Sequence, residues 1–209
     1  MLRVLPKLLP SEEATFLVSG GVDSIAAAHW MIHRFRRPCT ILHFNHNVQA
    51  ANDEMEHKVH SFAEACGVPF VCITRNKEDF QDESECGLRN WRLEILKNSG
   101  GHFITAHHLN DAVENYLDNT LKGSPEHIPI QPVSSFGTFT IYHPFLVSTK
   151  RSLQKYAENH DLLKFIESDP TNEDLSLKRN WIRHKLAQEI YDRDLGIEKV
   201  VWKKFYKEL

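Results

Sequence analysis

Paired cysteines are missing from this chain. The four that occur in 209 residues, Cys39, Cys66, Cys72 and Cys86, form no Cys-x-x-Cys unit, which leaves no zinc-ribbon or thioredoxin-type spacing. Three of them fall in apolar strand or helix patterns, where a free thiol packs as a small hydrophobe; a reducing cytoplasm is the expected compartment. No apolar run approaches the roughly 20 residues of a membrane-crossing helix. The opening, Met1-Leu2-Arg3-Val4-Leu5-Pro6, lacks the uninterrupted apolar stretch and cleavage site of a signal peptide. An excess of one charge is absent too: 25 Lys and Arg face 28 Asp and Glu, a net charge of −3, which does not advertise a nucleic-acid binder. There is neither an internal repeat nor a low-complexity segment.

What is present is ordinary for a globular chain, 41% hydrophobic and 25% charged, and long enough for one sizeable domain. We expect that domain over residues 1–190 and a basic helical tail over 191–209. Basic residues cluster at Arg34, Arg36 and Arg37, at Lys178, Arg179, Arg183 and Lys185, and at Lys199, Lys203, Lys204 and Lys207. Such groups are either solvated helix faces or local phosphate-binding patches on a mildly acidic protein.

Apolar runs and helical periodicities alternate. Strands are expected at Phe16–Val18, Cys39–Phe44, Pro69–Thr74 and His102–Ala106. Helices are expected from Ile25, over Asn52–Cys66, Ser84–Lys97 and Leu109–Leu121. This is the pattern of right-handed βαβ crossovers, and it predicts a doubly wound parallel sheet of five strands with helices on both faces. Ligands of such sheets bind at the carboxyl ends of the strands. Ser124–Tyr142 reads instead as a loop and a short strand or hairpin. Further on, a helix is expected over Ser148–Asn159, capped by Ser148 or Thr149, then a short strand at Phe165-Ile166. A turn at Asp169–Asn172 and a helix over Leu175–Tyr191 complete the reading.

The first strand runs into Ser19-Gly20-Gly21-Val22-Asp23-Ser24 and then a helix. Adjacent glycines allow a sharp turn and leave no Cβ to hold a ligand away. The amides that open the helix and the positive end of its dipole favour an anion. Ser19 and Ser24 add hydroxyls, and Asp23 adds a carboxylate able to hold magnesium. No Lys-Ser or Lys-Thr follows, so this is not a Walker A loop. An ordinary strand-to-helix turn would use glycine for geometry and Ser or Asp as a cap. The complete hexapeptide, however, resembles the PP-loop of enzymes that cleave ATP between the α and β phosphates.

Other groups fall at predicted strand ends. His43-Phe44-Asn45-His46-Asn47 closes the second strand, where Phe44 and Asn45 are candidates to line an adenine pocket. The histidines, with His107 and His108, lack the spacing of a zinc site. His107-His108 leads into a helix carrying Asp111 and Glu114 three residues apart, hence on one face near its N-terminus. There the dipole stabilises carboxylates, which either complement the helix or position an amine. Arg89 and Arg92 share a helix face and either clamp phosphate or flank a buried Trp91. Arg179 and Arg183, at i and i+4, make one cationic face beside Lys178.

The ordered set Ser-Gly-Gly-Val-Asp-Ser, His-Phe-Asn-His-Asn, Ala-His-His-Leu-Asn-Asp-x-x-Glu, His-Pro-Phe-Leu, Ser-Asp-Pro-Thr-Asn-x-Asp and Arg-Asn-x-Ile-Arg resembles the tRNA(Ile)-lysidine synthase family, from Phe16 to about Leu186. The resemblance implies a PP-loop catalytic domain that uses ATP and magnesium to adenylate the C2 oxygen of the wobble cytidine of an isoleucine tRNA. Free lysine then attacks C2 and expels AMP. It also implies roles. Ser19, Gly20, Gly21, Val22, Asp23, Ser24, Phe44, Asn45 and His107 would bind ATP, with Asp23 on the metal. Asp23, Asp111, Glu114, Arg179 and Arg183 would be catalytic, and Arg89, Arg92 and Lys178 would contact tRNA. Five positions depart from the family pattern: Asn110, Ala112 and Asn115 around the Asp-x-x-Glu motif, Gln49 where Arg is usual, and His143 where Arg precedes Pro-Phe-Leu. The pattern as a whole matches the catalytic domain, without the helical and C-terminal domains of larger members. A PP-loop tRNA sulfur transferase and a non-catalytic nucleotide- or RNA-binding module of the same fold are the competing readings.

Overall fold

The structure, a computed structural model, describes residues 2–5, 8–10, 13–35, 39–126, 130–167 and 174–206. Its strands are β1 (Ala14–Leu17), β2 (Cys39–Asn45), β3 (Phe70–Thr74), β4 (Gly101–Ile104), β5 (Val133–Ser135) and β6 (Phe139–Tyr142). They form one sheet in the order β3-β2-β1-β4-β6-β5. All neighbours are parallel except the β5–β6 hairpin. The sheet therefore has six strands where five were expected. Phe139–Tyr142, read as a loop-borne strand or hairpin, is also a crossover strand: its alternating apolar residues pair with β4, Ile141 opposite Phe103.

The helices are α1 (Val22–Trp30), α2 (Ala51–Cys66), α3 (Glu85–Ser99), α4 (Leu109–Leu121), α5 (Lys150–Asn159), α6 (Lys178–Trp181), α7 (Gln188–Asp192) and α8 (Ile197–Tyr206). Wider π-type turns extend α1 over Met31–Phe35 and join α6 to α7 over Ile182–Ala187. Local chemistry sets several boundaries. Gly67 ends α2 in the left-handed conformation at φ 66°, where glycine bears no Cβ penalty. Ser84 caps α3 by accepting from the Gly87 amide, and Thr149 caps α5 by accepting from Ser152. Phe165-Ile166, expected as a strand, ends a 3₁₀ turn (Leu163–Phe165). Its aromatic ring packs edge-on against Phe62 of α2, 5.7 Å between centroids, instead of joining the sheet. The helix expected from Leu175 begins at Lys178, and the Asp169–Asn172 turn lies outside the described residues.

Alternation along the strands divides the apolar residues between two faces. One face buries Phe16, Ile41, Phe62, Val59 and Phe145 with α1, α2 and α5; the other buries Leu42, Leu96, Phe103, Phe139 and Ile141 under α3. Each such side chain contributes about 1.5–3 kcal/mol on burial. A third cluster joins Val113 and Leu117 of α4 to Ile182, Ala187 and Val201 of α8, so the basic C-terminal helix packs directly on α4. Because β1 has β2 on one side and β4 on the other, the chain reverses its direction of winding between β1 and β4. That reversal opens a crevice at the carboxyl ends of these two strands.

Candidate active site

Ser19–Ser24 sits at the β1 edge of the crevice. Gly20 adopts φ +92°, and a Cβ there would lie 3.4 Å from both Met55 Cβ and Val59 Cγ2 of α2. The loop thus lies in ordinary contact with α2, and it is the positive φ that disfavours a side chain at this position. Gly21 is the N-cap of α1 at φ −76° and supplies no capping side chain. A Cβ on Gly21 would meet nothing nearer than Ser19 Oγ at 3.7 Å, so this side of the loop is open. The first-turn amides of α1 face that space without a side-chain cap, as an anion site requires. The hydroxyls brace the loop: Ser24 donates to the Gly21 carbonyl at 2.9 Å, and Ser19 Oγ lies 3.1 Å from Ser24 Oγ. From below, His43 Nδ1 donates to the Val18 carbonyl at 2.8 Å. The Glu167 amide donates to the Gly20 carbonyl at 3.2 Å, carrying the chain past the loop just before residues 168–173, which lie outside the described residues.

Asp23 projects from the first turn of α1. Its Oδ2 lies 3.4 Å from His108 Nε2, while its Oδ1 is buried with no hydrogen-bond partner among the described residues. One orphaned carboxylate oxygen beside an anion cradle fits a magnesium ion, a hard cation commonly held by a single carboxylate together with substrate phosphates. Among the described residues no group of three His, Cys, Asp or Glu could hold a metal by itself.

His108 opens α4 as a capping box. The Asp111 amide donates to His108 Nδ1 at 3.2 Å, and the His108 amide donates to Asp111 Oδ2 at 3.0 Å. Burial opposes charge on His108, yet Asp111 and Asp23 outweigh it and raise its pKa. Burial also opposes charge on Asp111, but His108, His107 and Arg179 pull it down to about 2.

Glu114, one turn on and 5% exposed, accepts from Arg183 Nε at 2.8 Å and from its Nη2 at 3.0 Å. Arg183 Nη2 lies 3.6 Å from Asp111 Oδ1. Arg179 adds contacts to Asp111 at 3.7 Å, to Glu114 at 3.6 Å and to Glu85 of α3 at 2.9 Å. Two carboxylates and two guanidiniums, read as separate motifs in the sequence, are one network, with the carboxylates buried and Arg179 reaching in from an exposed position. Burial works against the Arg183 charge, and its Glu114 fork more than restores it, raising its pKa.

The remaining candidates divide. Arg92, half-buried on α3, lies within the electrostatic reach of Arg89, Glu85 and Arg179; burial and the neighbouring cations lower its pKa. Arg89 is exposed on the same helix. Lys178 points to Asp118, 2.6 Å away and also bound by Lys122. Phe44 packs edge-on against Trp91, 5.5 Å between centroids. The Asn45 side chain is consumed by Asp53, Glu56 and the Asn47 amide. Asn110, a departure from the family pattern, accepts from the Lys150 amide at 2.9 Å and so ties α4 to the start of α5.

Other contacts had no signal in the sequence. Thr105, His107 and His143 meet through one hydroxyl and two Nδ1 atoms at the ends of β4 and β6. Arg75, fully buried, donates to the carbonyls of His46 and Phe80 at 2.7 Å each and to Glu83 at 2.6 Å. Burial raises the thiols Cys39, Cys66 and Cys72 to about 11, which keeps them protonated and disfavours thiolate chemistry.

A parallel sheet whose switch point carries a glycine turn, uncapped helix amides and a metal-competent aspartate defines a nucleotide-binding α/β domain. The chain belongs to the PP-loop domain family, which matches residues 3–190. It is 30% identical over 195 residues to the tRNA(Ile)-lysidine synthase of Exiguobacterium sibiricum, a match covering 91% of this chain and 46% of that one. Against the Haemophilus ducreyi enzyme of the same name it is 27% identical, covering 84% of this chain and 41% of the relative. The chain thus spans less than half the length of these curated relatives. Among solved structures it is similar in fold to the U34-tRNA thiolase NcsA from Methanococcus maripaludis, with TM-score 0.76 and 13% identity. That likeness covers 96% of this chain and 73% of that one. Among the described residues no helix is long and apolar enough to cross a membrane.

Proposed function

We propose that this chain carries the ATP-dependent joining of lysine to a tRNA cytidine: adenylation of the C2 oxygen at the wobble position of an isoleucine tRNA, then attack of the lysine ε-amine on C2. The observation that carries this reading is the convergence, on one crevice, of the Ser19–Ser24 cradle with the Asp111–Glu114–Arg179–Arg183 network. The similarity to lysidine synthases over about nine-tenths of the chain supports it.

In the first step the α1 amides hold the β and γ phosphates, on a loop that the Ser19 and Ser24 hydroxyls brace. Preorganised donors aimed at the leaving pyrophosphate need no reorganisation as charge develops. Magnesium held by Asp23 supplies neutralisation of phosphate charge when bound. The cytidine C2 oxygen displaces pyrophosphate from the α-phosphorus, and Arg179, bound less tightly than Arg183, is the cation free to turn toward that phosphate. In the second step the carboxylates Asp111 and Glu114 hold the lysine ammonium and orient its amine. The C2–O bond breaks with its electron pair on AMP.

The test is direct. The protein is incubated with ATP, magnesium, tRNA and isotopically labelled lysine, and the digested nucleosides are weighed. Lysidine at a former cytidine supports the reading; a sulfur-bearing base formed only with a sulfur donor replaces it with thiolation. Absence of pyrophosphate with every tRNA pool overturns both.

A further inference from the structure

The oxygens of both site carboxylates are already engaged by donors. Asp111 is held near a pKa of about 2, and Glu114 is bound by two guanidinium nitrogens at 2.8 and 3.0 Å. Yet an amine that attacks a carbon must give up a proton as the new bond forms. His108 is occupied at both nitrogens, by the Asp111 amide and by Asp23.

His107 is different. Its Nδ1 lies 2.8 Å from Thr105 Oγ1 and 3.2 Å from His143 Nδ1, and the same hydroxyl lies 2.5 Å from His143 Nδ1. Every hydrogen bond of the His107 ring to a described residue uses Nδ1. Nε2 is therefore the nitrogen available to a reactant. The ring sits among the site's charges: His108 and Asp111 on α4, Arg179 on α6 and Arg92 on α3, with His143 at the end of β6. Burial and these cations hold it neutral against the pull of Asp111.

We infer that His107 Nε2 is the proton acceptor of the amine step, with Thr105 and His143 as its positioning residues. The inference rests on the reading above. Two mirror-image hydrogen-bond patterns satisfy the cluster with a single proton on each group, and base catalysis uses the one in which His107 Nδ1–H donates to Thr105 Oγ1 and the Thr105 hydroxyl donates to His143 Nδ1. That pattern leaves Nε2 with a bare lone pair. The ammonium first gives one proton to water to expose its lone pair; as that amine nitrogen bonds to C2, a second proton passes to His107 Nε2 and AMP departs with the C2–O electron pair. The imidazolium so formed lies beside Asp111, which stabilises it until the proton returns to water.

Single-turnover reactions that follow pyrophosphate and lysidine separately test this. His107→Asn keeps a group at the Nδ1 position and removes Nε2. It is expected to form lysidine about a hundredfold more slowly, in line with general-base catalysis, while adenylated tRNA accumulates; added imidazole restores part of the rate. Thr105→Val is expected to slow the same step about tenfold through loss of ring orientation, and Thr105→Ser to recover it. Wild-type protein that makes lysidine no faster than His107→Asn overturns the inference alone. Wild-type protein that never releases pyrophosphate overturns it together with the reading it rests on. If His107→Asn does not fold, equal amine-step rates for Thr105→Val and wild type overturn the inference.

Discussion

Arg183 grips Glu114 through Nε at 2.8 Å and Nη2 at 3.0 Å, across 69 positions of sequence. The pair fixes α4 against the turn of helix that follows α6 and places Glu114 one turn from Asp111. A buried carboxylate with a two-pronged guanidinium is held in direction as well as in charge.

Removing one partner of such a pair leaves the other uncompensated. Glu114→Gln is expected to lower stability by about 3 kcal/mol, read as a shift of the urea midpoint at constant slope. The same variant should raise the lysine concentration needed for half-maximal rate more than the ATP concentration. Arg183→Lys keeps the charge and loses the fork, so it should fall between wild type and Glu114→Gln in stability. A stability equal to wild type in Glu114→Gln would show the pair to be energetically idle.

The two glycines of the loop should fail in different ways. Gly20→Ala forces a side chain into φ +92° against Met55 and Val59, costing about 1–3 kcal/mol. Gly21→Ala has an ordinary φ and open space around its Cβ; its stability should stay within about 0.5 kcal/mol of wild type. ATP affinity should nevertheless fall, because the methyl enters the cradle. Thermal melts with and without ATP–magnesium separate the two effects.

Asp23→Asn keeps the size of the side chain and a hydrogen-bonding group toward His108, but removes the anionic oxygen that is orphaned in this structure. Pyrophosphate release should drop by about a hundredfold or more, the range of a lost electrostatic contact to a developing charge. Titrating magnesium should show a weakened requirement. Unaltered magnesium dependence would remove Asp23 from the metal.

Acid should destabilise the fold through histidines whose pKa burial lowers, His143 being buried and His29 half-buried. Burial, then His107, holds His143 down to about 3, and burial with His33 and His160 holds His29 near 4. Unfolded, both titrate near 6.5. Between pH 6.5 and about 4 the unfolded chain therefore binds more protons, and stability falls as pH falls. The contribution is complete above pH 6.5. His143→Gln and His29→Gln should each flatten this decline, measured as urea midpoints at pH 7 and pH 5. His108, whose pKa is raised, acts in the opposite sense but is common to all three proteins, so the comparison isolates the lowered groups.

Arg75 is a structural cation with three acceptors and no exposure. Arg75→Met should cost about 3 kcal/mol, since two loop carbonyls and Glu83 lose their donor together. Hydrogen exchange at residues 76–83 should quicken more than in α2.

Much of the site was legible because its parts are local. Ser19–Ser24 follows an apolar strand and precedes an Ala-rich helix, so a cradle can be read from six residues and their flanks. Asp111 and Glu114 lie three apart on a helix start, and Arg179 and Arg183 four apart, so each pair's shared face follows from the helical repeat. The chain's βαβ rhythm likewise placed β1 to β4, since strand and helix periods are properties of short windows. The strand and hairpin at Phe139–Tyr142 were legible, but the parallel pairing with β4 was not, because alternation cannot say which strand accepts a partner. That choice depended on the α4 crossover returning beside β4.

Only the tertiary structure decided which charges meet. The Glu114–Arg183 fork and the His107–Thr105–His143 cluster join residues from different strands and helices, and no spacing rule relates them. The sequence by itself determined the glycine turn and the helix start after β1, since backbone conformation and helix amides are local. Packing determined whether each neighbouring side chain is ion, base or brace, because burial and through-space charge set its protonation state. Those forces exist only once β1, β4 and β6 lie in one sheet with α4 and α6 packed at its end.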